Sequence, residues 1–154
     1  MKIGIANDHR GYNLKEQIID DLREKYEIID LGTDSNISVD YPDYAFKLGE
    51  KIRDKELDFG IAICGSGIGI SIACNKVKGV RCAKVSTKEE AIYTRNDNDA
   101  NIVALSEKTT KEEALDIINT FINTPFSNEA KHIRRIYKIT KYEEQSWKER
   151  YFYI

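Results

Sequence analysis

Histidine and cysteine are scarce in this chain, and that scarcity excludes two kinds of site. Two histidines, His9 and His132, and three cysteines, Cys64, Cys74 and Cys82, are too few and too widely spaced for a structural zinc site. An odd cysteine count without a secretory leader argues against a disulfide framework. No apolar run approaches the length of a membrane span, and the opening "MKIGIANDHRG" lacks the long apolar core of a secretory signal. An excess of one charge sign is also missing. A formal net charge of -2 offers no global attraction for nucleic acid or an acidic membrane surface. The expectation is a cytoplasmic protein with neither nucleic-acid nor membrane partners. At 154 residues and 41% hydrophobic composition, the chain is long enough for one domain with a real core.

What is present alternates between strand and helix. "KIGIA" (Lys2 to Ala6), "YEIIDL" (Tyr26 to Leu31), "DFGIAIC" (Asp58 to Cys64), "RCAKV" (Arg81 to Val85) and "NIVAL" (Asn101 to Leu105) read as five strands. The near-continuous apolarity of the third suits a central parallel strand covered on both faces. Between the strands lie helical stripes: Leu14, Ile18, Ile19 and Leu22; then Ala45, Leu48 and Ile52 after a start near Pro42. Another helix should start in the glycine region and run to about Lys76. Thr87 with Glu90 and Thr110 with Glu113 have capping-box spacing. Ala114, Leu115, Ile118, Phe121 and Ile122 form the next stripe, which "TPFS" breaks, and a last charged helix follows. The pattern predicts an α/β fold, with an open, mostly parallel five-stranded sheet wound on both sides. The aromatic tail (Trp147, Tyr151, Phe152, Tyr153) is expected to dock on its own or a partner subunit.

In such a sheet, ligands bind beyond the carboxyl ends of the strands. Asn7 to Gly11 follow the first strand, Cys64 to Gly69 the third, and Ser106 to Lys108 the fifth, so these groups are expected to converge. Glycines at 65, 67 and 69 allow a tight turn that points several N–H groups inward. A thiol at the edge of that cradle would be drawn toward thiolate, could take a proton, and would leave the amides to hold the resulting oxyanion. Equally, Cys64 could be a small buried hydrophobe and the glycines packing devices. The glycine spacing, G-x-G-x-G after the third strand, fits neither the dinucleotide fingerprint nor a P-loop. In "KHIRRIYKITK" (Lys131 to Lys141), Lys131 and Arg135 stand one turn apart with His132 adjacent. This is a solvated face or a phosphate clamp, in which each charge-assisted hydrogen bond would contribute about 1.5–3 kcal/mol.

Together, "DHRGYNLK", "DYPDYA", "ICGSGIGISIACNKVKGVRCA", "NDANIVAL" and "KHIRRI" resemble the ribose-5-phosphate isomerase B and galactose-6-phosphate isomerase family from Met1 to about Glu144. The resemblance implies a Rossmann-like three-layer fold, with residues 127–154 as a C-terminal helical extension reaching a partner subunit. It also implies a homodimer or dimer of dimers with shared active sites, no metal and no cofactor. The activity implied is interconversion of an aldose phosphate and a ketose phosphate through a cis-enediolate, with ribose 5-phosphate as the leading substrate. Carried over, Cys64 is the base between C1 and C2. Gly65, Ser66, Gly67, Ile68 and Gly69 hold the enediolate. Asp8, His9, Tyr41 and Asn98 contact the sugar phosphate. Lys108, Lys131, His132 and Arg135 hold phosphate.

The chain departs from the family in "RNDNDAN", where Asp97 occupies the place of a histidine credited with ring opening. Lys108 and Lys131 stand where arginine is common, which keeps charge but loses the bidentate fork. The alternatives are a six-carbon sugar phosphate (galactose or allose 6-phosphate), a non-catalytic sugar-phosphate-binding module, or a chain that works only beside a second, related one.

Overall fold

The computed structural model of the protein describes residues 1–145. Strands and helices alternate as β1 (Lys2–Asn7), α1 (Tyr12–Arg23), β2 (Glu27–Asp30), α2 (Tyr41–Arg53), β3 (Phe59–Cys64), α3 (Ile68–Cys74), β4 (Cys82–Lys84), α4 (Lys88–Asn98), β5 (Ile102–Ser106), α5 (Lys111–Asn123) and α6 (Ala130–Glu144). All five strands are parallel, in the order β2-β1-β3-β5-β4. This is the α/β Rossmann-like architecture expected, with α6 as the C-terminal extension. The aromatic tail lies outside the described residues.

The two faces of the sheet differ in side-chain size. Ile3, Ile5, Ile61, Ile63, Val103 and Leu105 point to one face, where α1, α4 and α5 cover them. Burying each such side chain stabilises the fold by roughly 1.5–3 kcal/mol. Ala6, Ala62, Cys64 and Ala104 point to the other face, under α2 and α3. Gly4 and Gly60 extend that small-residue surface. A methyl group on Gly4 would sit 2.5 Å from the Leu57 side chain and 2.7 Å from that of Leu48. Small residues therefore let α2 and α3 approach the sheet closely, and Cys64 faces this thin side.

Element ends depart from expectation for local reasons. Tyr26 does not extend β2; its hydroxyl bonds Asn119 Oδ1 at 2.9 Å, tying the turn to α5. α3 stops at Cys74 instead of Lys76, because Lys76 N and Val77 N donate to carbonyls three residues back and tighten the last turn. Thr110 and Glu113 form a full capping box. Thr87 makes only half of one: it accepts from Glu90 N, but the Glu90 carboxylate takes Ser86 N at 3.0 Å instead of the Thr87 amide. Within α5, Leu115 is only partly buried and Ile117 joins the core in its place.

Two buried cations lock the ends of helices. Lys15, in the apolar stripe of α1, is fully buried; its Nζ donates to Thr33 O at 2.7 Å and lies 3.1 Å from Asp30 Oδ2. Arg95, near the end of α4, donates to Ala100 O at 2.7 Å, Asp99 Oδ1 at 2.8 Å and Thr124 O at 3.1 Å, with its guanidinium over Phe59 and Phe121. The last turn of α4 is thereby pinned to the end of α5. α6 lies against α4 and buries none of its own residues.

Replacing Lys15 by Met keeps the apolar stem but removes the charged partner of Asp30 and the shorter of the two bonds to the Thr33 carbonyl. The urea midpoint at fixed protein concentration should fall by an amount equivalent to about 1–3 kcal/mol. A midpoint equal to wild type would show that this pair contributes nothing net.

Candidate active site

The chain runs outward from β1 to β2, then returns to β3 on the other side of β1. The loops after β1 and β3 therefore part, and a cleft opens at the switch point between them. Its volume is about 500 Å³. Asp8, His9 and Arg10 line it from the end of β1, Cys64, Gly65, Ser66 and Gly69 from the end of β3, Lys108 from beyond β5, and Tyr41 from the start of α2. The expected convergence after the first, third and fifth strands is thus present. A larger depression of about 670 Å³, lined between Ser38 and Lys47, offers hydroxyls and an amine but no thiol. Chemistry, not size, singles out the Cys64 cleft.

Cys64 closes β3 and is buried, yet its residue borders the cleft. Its sulfur accepts a hydrogen bond from Gly67 N at 3.2 Å. Gly67 has φ +77°, the left-handed region, and a methyl group there would stand 2.9 Å from the Leu105 carbonyl carbon. Conformation and space both require glycine. Gly69 serves differently, since a methyl group there would meet the Tyr41 ring at 2.7 Å. The Ser66 hydroxyl accepts from Ile68 N at 3.1 Å, which keeps its own O–H for another acceptor. The Gly65 and Ser66 amides have no acceptor among the described residues. Behind the turn, Glu107 N donates to Cys64 O at 2.9 Å and the Ser106 hydroxyl to Gly65 O at 2.9 Å, fastening the loop to β5.

Opposite the thiol, Asp8 Oδ1 accepts from Arg10 N at 2.9 Å and Gly11 N at 3.1 Å, which fixes the carboxylate and its loop. Gly11 permits this loop to approach β3; a methyl group there would lie 2.5 Å from Ile63 O. His9 Nδ1 accepts from Val39 N at 3.2 Å, which puts the ring proton on Nε2 in the neutral form. Arg10 and Glu107 form a two-pronged ion pair, Nε to Oε2 at 2.9 Å and Nη2 to Oε1 at 2.5 Å. Hydrogen bonding from Arg10 holds the Glu107 carboxyl below its ordinary range, and Glu107 holds the Arg10 proton more firmly. Sequence reasoning gave neither residue a role in the site. Two opposite charges nearly a hundred positions apart leave no local pattern.

The other candidate residues lie elsewhere in the chain. Because α4 runs from the carboxyl end of β4 back to the start of β5, its last turn lies at the opposite rim of the sheet. There Asp97 Oδ1 is 3.3 Å from His132 Nε2. Asn98 lines a separate cavity of about 440 Å³ between α4, β4 and α6. Lys131 Nζ is 3.6 Å from Glu129, and Arg135 is exposed. None of these five lines the Cys64 cleft within one chain. Among the described residues, no group of three His, Cys, Asp or Glu side chains is placed to hold a metal ion. No helix among them is long and apolar enough to cross a membrane.

The Ribose/Galactose Isomerase family matches residues 3–139. The structure of ribose-5-phosphate isomerase B from Clostridium thermocellum is similar with a TM-score of 0.90 and 48% identity, covering 94% of this chain and 98% of that one. Ribose-5-phosphate isomerase B from Mycoplasma genitalium with bound ribulose-5-phosphate gives a TM-score of 0.87 at 38% identity, covering 94% and 97%. Ribose-5-phosphate isomerase B of Escherichia coli is 36% identical over 146 residues, again 94% of this chain and 97% of that one. With the fold and these relatives in agreement, the chain belongs to the ribose/galactose isomerase family and is an isomerase of the type B sugar-phosphate kind.

Proposed function

We propose that the protein interconverts ribose 5-phosphate and ribulose 5-phosphate, with Cys64 as the base. The reading rests above all on one observation: the Cys64 residue borders the cleft and its sulfur is held by the Gly67 amide. The thiolate takes the proton from C2 of the open-chain aldose, and the electron pair moves through the C1–C2 bond onto O1. The cis-enediolate so formed is held by the Gly65 and Ser66 amides and the Ser66 hydroxyl. The sulfur returns the proton at C1, and the O2 proton passes to O1, so no atom is gained or lost. Asp8 and His9 would orient the substrate's oxygens, with Tyr41 along its side.

Ring opening and phosphate binding fall to residues at the far rim, delivered by a second copy. Asp97 would exchange a proton with the ring oxygen, with His132 beside it as its partner. Lys131 and Arg135 of that copy would join Lys108 on the phosphate. The exposure of Ile133, Tyr137 and Ile139 on α6 supports such a homodimer, since a helix that buries nothing has an apolar side to cover. The Mycoplasma genitalium relative with bound ribulose-5-phosphate supports the five-carbon choice. Asp97 itself favours a second reading, a six-carbon sugar phosphate, because it replaces the histidine expected for ribose.

Turnover in deuterated water should place deuterium at the carbon next to the carbonyl. Cys64→Ala should lower kcat by about a thousand-fold with an unchanged circular dichroism spectrum; near-normal turnover would remove Cys64 as the base. A panel of ribose, allose and galactose phosphates on wild type and Asp97→His separates the sugars. The wild type should prefer the ribose ester, with no large gain from Asp97→His. A large gain on ribose 5-phosphate alone would point to the six-carbon reading.

A further inference from the structure

The rim of the Cys64 cleft carries a cation that the mechanism above leaves unused. Arg10 follows the Asp8–His9 pair, and its backbone is fixed by the bond from its N–H to Asp8 Oδ1. Its side chain is 55% exposed, but it is not loose. Glu107 receives both Nε and Nη2, so each carboxylate oxygen is engaged and the plane of the guanidinium is set. Nη1 has no hydrogen bond among the described residues. The guanidinium lies over the cradle: a methyl group on Gly65 would be 3.5 Å from Cζ and 3.7 Å from Nη1. Lys108, the residue after Glu107, lines the same cleft.

We propose that Arg10 binds the phosphate of the sugar phosphate, its Nη1 edge and the Lys108 ammonium of the same chain receiving the dianion while Glu107 acts as the positioning residue. The proposal rests on the isomerase reading for its substrate, and on geometry for its site. Three physical points carry it. A stability role gains little, because water screens an ion pair this exposed and holding two long side chains in one geometry costs entropy. A guanidinium already held on two of its nitrogens loses little freedom when the third meets an anion. Lysine at position 108 offers a point charge without a fork, and Arg10 supplies the directional donors that it lacks. Glu107 also limits where the phosphate can sit, since an anion on the Nε side would face the carboxylate. Within one chain Arg10 and Lys108 then give the phosphate end of the substrate a first anchor, which the cations on α6 of a second copy complete.

The test uses the full-length wild type with Arg10→Met, Arg10→Lys and Glu107→Gln. It combines steady-state kinetics on ribose 5-phosphate with direct binding of inorganic phosphate by phosphorus NMR. Arg10→Met should raise KM and weaken phosphate binding by about ten-fold or more, with the loss on KM and not on kcat. Arg10→Lys should recover part of the loss, and Glu107→Gln should weaken phosphate less than Arg10→Met. KM and phosphate affinity within two-fold of wild type in Arg10→Met would overturn the proposal. So would a fall in kcat at constant KM, which would place Arg10 on the thiol instead. Phosphate binding that depends on Arg10 in a protein with no ribose 5-phosphate turnover would uphold this site and sink the substrate reading. Turnover indifferent to Arg10 would do the reverse.

Discussion

Between the end of β3 and the first turn of α3, the backbone must reverse within three residues and still aim an amide at the Cys64 sulfur. Only a left-handed residue makes that turn, and it does so hard against the carbonyl of Leu105, where no side chain fits. The same turn commits Gly69 to the side of Tyr41 and leaves the Gly65 and Ser66 amides without acceptors among the described residues. Thiol, amides and the Tyr41 wall of the cleft thus hang on one backbone conformation. Bonds to β5 on its far side, from Ser106 and Glu107, fasten it.

The unequal faces of the sheet make that turn possible. Large aliphatic side chains from the strands bury apolar surface on the α1, α4 and α5 face and help offset chain entropy. Glycine, alanine and cysteine on the other face supply little, but they bring α2 and α3 down onto the strands. Cys64 belongs to this thin face by register, as the third small residue in line after Gly60 and Ala62. A one-residue slip of β3 would turn the sulfur into the opposite core. Register therefore decides whether the thiol meets the cleft.

Charge serves the fold and the cleft in two different settings. Lys15 and Arg95 are buried, each satisfied by carbonyls as well as a carboxylate, and each holds the end of a helix where a loop must leave in a defined direction. Arg10 and Glu107 are on the rim, where water weakens their attraction and geometry is what the pair provides. The two buried cations shape the scaffold, and the ion pair fixes a guanidinium on the rim of the cleft.

Much of this was legible along the chain. Five apolar runs with helical stripes between them fix a parallel sheet, because each strand needs a crossover to return to the same end. A thiol followed by alternating glycines, just past the third run, marks the cleft, because backbone without side chains is needed where the turn packs against β5 and Tyr41. Sequence could not show that Lys15, within an apolar stripe, is a buried cation, since its carbonyl partner lies eighteen positions on. Nor could it show that the Glu90 carboxylate takes the Ser86 amide, because the same spacing also fits a bond to Thr87. The same holds for the meeting of Arg10 with Glu107 and of Asp97 with His132. Periodicity is a local property, written in neighbours three or four apart. Pairing across the sheet, and which rim a helix ends on, exist only once the strands have taken their order.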